Sequence, residues 1–183
     1  MVHVCCRSLL KAEVQRNPSA GPLITRFLDS GTMVPDSLVC TLVEQRLALS
    51  DCRINGWVID GFPQTEQQIN LLKTIKIQPS VVCLFEQSDE ESIRRLIKRR
   101  VDPETGNAYN LEIDPPTDQT VADRLTHHVE DTERIIRNRL AAWNAQIANV
   151  EEAFKNQVLC IASDKPVSQI TEIISDAIQN PIF

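Results

Sequence analysis

Glycine is scarce in this chain, five in 183 residues, and nowhere does the sequence spell G-x-x-x-x-G-K. Gly56 and Gly61 have that motif's glycine spacing, but Phe62 stands where its lysine belongs. These residues therefore contain no phosphate-cradling loop. The six cysteines include no C-x-x-C pair. Cys5, Cys6, Cys40, Cys52, Cys83 and Cys160 mostly lie in apolar segments. That suits buried thiols in a reducing, cytoplasmic compartment, and argues against a disulfide framework or a zinc site. No apolar run reaches the roughly 18 residues that would span a bilayer, and the N-terminus lacks the apolar stretch of a signal peptide. Positive charge is in deficit: the net charge of −6 argues against nucleic-acid binding through bulk charge.

What is present is ordinary globular composition, 42% hydrophobic and 24% charged. The length, 183 residues, fits one domain with a small inserted lobe. The most informative segment is Gly56-Trp-Val-Ile-Asp-Gly-Phe-Pro-Gln-Thr65. Trp57-Val58-Ile59 is a short apolar run of the kind found in strands buried on both faces. It stops at Asp60, turns through Gly61 and Pro63, and becomes helical after Thr65. A carboxylate at the end of a buried strand, before a turn into a helix, is where open α/β sheets place ligands.

Other elements follow from periodicity. Val2 to Cys5 reads as the end of a strand. Leu9, Leu10 and Val14 mark one helix, Leu23 to Leu28 a second ending at Gly31, and Pro35-Asp36 starts a third that reaches Leu47. Asp51 to Asn55 reads as a polar connection. Thr65 caps the next helix, and Ser80 to Phe85 is a second buried strand. Asp89 is expected to cap a helix over Glu90–Arg100, acidic at its start and basic at its end. One long helix is expected through Ile136, Leu140, Trp143, Ile147, Val150 and Phe154. Val158 to Ile161 is a third strand, and Val167, Ile170, Ile174 and Ala177 line a last helix. Strands alternating with helices predict a parallel sheet with helices on both faces, an α/β architecture.

Two further segments carry chemistry. Arg94-Arg-Leu-Ile-Lys-Arg-Arg100 concentrates five basic residues in seven positions. On a helix Arg95 and Arg99 would share a face and could grip one polyanion, although a solvated helix end is the alternative. Val101-Asp-Pro-Glu-Thr-Gly-Asn-Ala-Tyr109 is turn chemistry whose flanks could pair as a hairpin. With no apolar residues to root it, this segment suits a mobile lid over an anion, with a plain surface loop as the alternative.

Together these segments resemble the adenylate kinase family. Asp60-Gly-Phe-Pro-Gln-Thr65 is similar to its D-G-F-P-R-T motif, and Arg95 to Gly106 to its R-x-x-x-R-R-x-D-P-x-T-G lid entry. Leu9-Leu10-Lys11, Gly31 to Asp36 and Lys165-Pro-Val167 fall in the same order. The Cys5-Cys6 pair, Val34 to Leu38 and Asp51 to Trp57 look closest to the second kinase-like domain of a two-domain family member associated with cilia and flagella.

The resemblance implies a three-layer P-loop-kinase-like fold over 1–183, an AMP-binding lobe at 5–34 and a lid at 98–131. It also implies reversible phosphoryl transfer from ATP to AMP, giving ADP, with Mg²⁺ on the phosphates. Residue by residue, Lys11 takes the place of an AMP-phosphate arginine, Gln68 of the glutamine that reads adenine, and Thr32, Met33 and Val34 of the backbone along the AMP ribose and base. Cys6, Gly61, Phe62, Pro63 and Gln64 fall on the AMP side, with the Phe62–Pro63 bond expected to be cis. Asp60 would orient water on Mg²⁺, Arg95 and Arg99 lie over ATP, Arg139 is a phosphate arginine, and Lys165 lies in the segment along the ATP base.

Departures from the pattern are as informative. Gln64 replaces the arginine that grips the AMP phosphate, His128 replaces a transition-state arginine, and Cys6 and Ser8 replace a threonine and an aspartate. In the family the phosphate loop and its strand precede the segment with which this chain opens. That strand is central, so two neighbours would be left unpaired beside a slot. Two readings stay open: an adenylate-kinase-type enzyme, and a kinase-like docking module among axonemal proteins.

Overall fold

The computed structural model describes residues 1–180. Strand β1 (Val2–Cys5) passes without a break into helix α1 (Cys6–Arg16). Helices α2 (Gly21–Ser30), α3 (Asp36–Leu47) and α4 (Ser50–Asn55) follow. Strand β2 (Trp57–Asp60) then lies parallel to β1, in register from Val2 opposite Trp57 to Cys5 opposite Asp60. Helix α5 (Glu66–Thr74) begins at Thr65, whose side chain accepts a hydrogen bond from the Gln68 amide at 3.2 Å.

The second half repeats the scheme. Strand β3 (Val82–Glu86) leads into α6 (Asp89–Ile97), and a hairpin follows, β4 (Arg99–Val101) antiparallel to β5 (Ala108–Asn110). Helix α7 (Gln119–Arg124), a 3-10 turn at Val129–Asp131, α8 (Glu133–Asn144) and α9 (Ile147–Ala153) return the chain to β6 (Val158–Ala162), which pairs in parallel with β3. Helix α10 (Val167–Gln179) is last. Parallel strand pairs among helices are the α/β arrangement that the periodicity predicts.

The two parallel pairs are separate sheets. Main-chain groups alternate sides along a strand, so the hydrogen bonds identify the unpaired edges. Val2 N donates to Gly56 O, so Gly56, Val58 and Asp60 face β1, and the peptide groups of Trp57 and Ile59 face away. Val82 N donates to Gln157 O and Ser163 N to Glu86 O, so Cys83 and Phe85 turn their peptide groups away from β6. No other described strand pairs with either edge.

One core serves both pairs. Val4, Leu10, Ile24, Val43, Leu72 and Val150 are buried in it, and Trp57, Ile59, Val82 and Val158 pack against it from the strands. β2 is buried on one face and not two: Trp57 and Ile59 join the core, while Val58 is 46% exposed. The apolar run alone does not distinguish these cases, since it contains no polar residue to mark the outward position.

Three further boundaries differ from the periodic reading. Residues 50–55 form a helix, because Asp51 holds Arg46 through hydrogen bonds at 2.9 and 2.7 Å and Cys52 is buried in the core. The long helix breaks after Asn144, whose side-chain amide donates to both Asp89 oxygens, and restarts at Ile147. The cap of α6 is Ser88, which accepts from Glu91 N at 3.2 Å, and the helix stops at Ile97. Arg99 and Arg100 therefore lie on β4. Arg95 and Arg99 share no helix face, because hairpin pairing ends α6 before its basic run does.

Candidate functional site

A cavity of about 500 Å³ opens at the carboxyl ends of β1 and β2. Three chain turns build one side of it. The direct passage from β1 into α1 delivers Cys6, Arg7 and Leu10. The end of α2 delivers Thr32, Met33 and Val34, after Gly31 has reversed the chain at φ 70°. A Cβ on Gly31 would lie 2.7 Å from Ile135 Cγ2 and 2.8 Å from its carbonyl oxygen, so only glycine lets α8 approach so closely. The end of β2 delivers Asp60, Gly61 and Gln64, and the Phe62–Pro63 bond between them is cis, as expected.

Gln68 braces this side. Its Oε1 accepts from Gln64 N at 2.7 Å and its Nε2 donates to Asp36 Oδ1 at 2.6 Å. With only 3% of its surface exposed, the amide reaches the cavity through what those bonds leave over.

The opposite side is charged. Arg99 on β4 and Arg139 on α8 line it, with Leu96, Ile136 and Trp143. Behind them the 3-10 turn buries Glu130 and Asp131 almost completely. Arg99 is tied to Asp131 by two hydrogen bonds, from Nε at 2.9 Å and Nη2 at 2.7 Å. Arg7 forms an ion pair with Glu130, its Nη1 against Oε2. Arg139 Nη1 is buried with no hydrogen-bond partner among the described residues. Burial first, then the positive charge of Arg7 and, more weakly, of Arg99, holds the Arg139 pKa below the usual arginine value, against the opposing pull of Glu130 and Asp131.

The remaining residues singled out from sequence lie elsewhere. Lys11 is exposed on α1, and Lys165 is exposed after β6. Phe62 is buried in the core. His128 caps the 3-10 turn, its Nδ1 accepting from Glu130 N at 3.3 Å and lying 3.7 Å from Glu130 Oε1. Arg95 donates to Glu91 Oε1 at 2.7 Å and lines a second cavity of about 340 Å³, with Gln87, Ser88 and Asp164.

The β4–β5 hairpin is rooted by a polar anchor where an apolar one is lacking. Asp102 is wholly buried, accepts from Arg124 Nε and Nη2, both at 2.7 Å, and accepts from Thr105 Oγ1 at 2.8 Å. The Arg124 guanidinium, ahead of the other hydrogen bonds, holds this carboxyl well below the usual range.

His3, Cys5 and Asp60 bring three ligand atoms within 4.8 Å of one another at the cavity mouth. Of these donors only the exposed Asp60 carboxylate is of the hard-oxygen type that Mg²⁺ takes, directly or through water. Sequence reasoning does not single out Arg7, Glu130 or Asp131. A signal existed for Arg7, a cation in the first turn of α1, where the helix dipole disfavours positive charge.

A profile of the adenylate kinase family matches residues 1–159. The chloroplastic adenylate kinase of Zea mays is 32% identical over 170 residues, covering 93% of this chain and 77% of that protein. Adenylate kinase 8 of Homo sapiens is 31% identical over 182 residues, all of this chain and 38% of that protein. The adenylate kinase of Photorhabdus laumondii is 32% identical over 178 residues, 91% of this chain and 83% of that protein. With a family profile over residues 1–159 and relatives such as the Zea mays enzyme aligned along 93% of its length, the chain belongs to the adenylate kinase family.

Proposed function

We propose that the cavity is the acceptor site of a nucleoside monophosphate kinase, with AMP as acceptor and ATP as donor. One observation carries this reading. The turns bearing Thr32 to Val34, Gly61, Gln64 and Gln68 face Arg99 and Arg139 across a single cavity. A base and ribose fit the neutral side, and phosphoryl oxygens fit the guanidiniums. Segment 5–34 is then the acceptor lobe and 98–131 the lid, with Arg95, His128 and Lys165 toward the donor. Mg²⁺, held through water by Asp60, would neutralise charge on the donor phosphates.

The 183 residues contain no G-x-x-x-x-G-K, and catalysis of this type rests on positioned cations and amides around the phosphates. The chain by itself is expected to bind AMP but to transfer phosphoryl groups poorly. A coupled assay for ADP from ATP, AMP and Mg²⁺ tests this; turnover near the ~10 s⁻¹ of a typical enzyme would overturn it. Calorimetry with AMP tests acceptor binding separately.

The unpaired edges of β2 and β3, with Val58 46% and Phe85 57% exposed, favour a second reading. In it the chain is a kinase-like docking module in the cytoplasm or in a ciliary assembly, where axonemal proteins would cover those edges. AMP binding no tighter than adenosine binding, together with association of the isolated chain through its strands, would favour that reading over the first.

A further inference from the structure

Three guanidiniums face the cavity, and they are held unequally. Arg99 is committed to Asp131 by two hydrogen bonds. Arg139 has a buried nitrogen with no partner. Arg7 is ion-paired with Glu130, its Nη1 against Oε2, and makes no bidentate hydrogen-bonded fork of the kind that holds Arg99. A guanidinium carries five N–H donors in a planar fork, so most of Arg7's donors remain available.

The lining itself is cationic. Arg7, Arg99 and Arg139 line the cavity with a single carboxylate, Asp60, while Glu130 and Asp131 lie behind the arginines and bring the tally of carboxylates to three. The position of Arg7 is distinctive as well. It lies in the first turn of α1, where no acidic residue accompanies it and the helix dipole is already positive. A cation there is disfavoured by the dipole and favoured by anions beside it, of which Glu130 is already one. Of the side chains that line the cavity at and after the β2 turn, Asp60 is an anion and Gln64 and Gln68 are neutral, so none supplies a cation, and Lys11, one helical turn after Arg7, is exposed and lines no part of the cavity.

We propose that Arg7 grips the phosphate of the acceptor nucleotide, supplying the charge that Gln64 does not carry, with Glu130 behind it as the carboxylate that aims its fork. Arg7 is then a substrate-binding residue and Glu130 a positioning residue. The proposal rests on the acceptor-site reading above.

The test is calorimetric titration of the chain with AMP, adenosine and inorganic phosphate, for the wild type, Arg7→Gln and Arg7→Lys. Loss of a charge-assisted contact predicts AMP binding about tenfold weaker in Arg7→Gln. Adenosine binding should stay unchanged, and Arg7→Lys should recover part of the loss. Because Arg7→Gln leaves Glu130 buried without its counter-charge, the double variant Arg7→Gln/Glu130→Gln is measured as well. It should regain thermal stability and still bind AMP weakly. AMP binding by Arg7→Gln at wild-type strength overturns the proposal alone, as does a parallel fall in adenosine affinity. Wild-type protein that binds AMP no better than adenosine overturns the acceptor-site reading, and the proposal with it.

Discussion

Arg99 and Asp131, 32 residues apart, are joined by two parallel hydrogen bonds that lock the start of the hairpin to the turn before α8. Asp131 has no exposed surface, while the Arg99 side chain is 35% exposed. Removing the carboxylate would strand a half-buried guanidinium. Asp131→Ala should therefore destabilise the chain by about 2–3 kcal/mol, the lower end for a buried pair because water reaches one partner. Urea unfolding checks this, and a loss near zero would mean that Arg99 finds water as good a partner.

Gln64 sits on the cavity wall with its main-chain N–H donating to Gln68 Oε1 at 2.7 Å, so its side chain can change without disturbing that brace. Gln64→Arg should tighten AMP binding by about tenfold, the worth of one charged hydrogen bond. Calorimetry reads the change directly. Unchanged or weaker binding would count against placing the acceptor phosphate beside this turn.

Asp102 sets an acid limit on the hairpin. Its folded pKa lies below the unfolded value of about 3.9, so the Arg124 contact stabilises the fold fully above that value and loses its effect as pH falls toward the folded pKa. The melting-temperature gap between wild type and Asp102→Asn should thus be widest near neutrality and close progressively below about pH 4. A gap that does not vary with pH would show that the lost contact is not ionic.

How far the sequence reached depends on what each feature displays in one dimension. The Thr65 cap and the Gly31 terminus rest on single residues with strong local rules, the cis Phe62–Pro63 bond rests on the family resemblance, and all three are in the structure. The strands at 57, 82 and 158 show as apolar runs, and their parallel pairing follows from the helices between them. Polar interactions across the chain leave no such trace. Asp51 with Arg46 makes a helix of a segment that reads as a connection, and Asn144 reaching Asp89 accompanies the break in an otherwise unbroken apolar stripe. The basic run at 94–100 reads as one surface, but a hairpin divides it, so Arg95 and Arg99 line different cavities. Arg7 left only one local signal, its place in the first turn of α1, because its partner Glu130 lies far along the chain.

Cys6 should be inert. It is buried, and burial, with smaller contributions from Cys5, Asp60 and Cys40, pushes its thiol up to about 12. At pH 8 its thiolate fraction is then on the order of 10⁻⁴. Native-state alkylation followed by peptide mass spectrometry should label exposed Cys160 long before Cys6. Equal labelling times would mean that the cavity wall opens readily.

Two strand pairs that share a core but no hydrogen bonds give the molecule a line of weakness. Backbone ladders hold β1 to β2 and β3 to β6, while no ladder runs between the two pairs. Hydrogen exchange should show it: the Trp57, Ile59, Cys83 and Phe85 amides, unprotected by any ladder, would exchange ahead of Val58 and Leu84 beside them. Side-chain contacts cross the same line, among them Arg7 with Glu130 and Asn138 Nδ2 donating to Ser30 O, so moving one strand pair against the other would break these contacts and not a ladder.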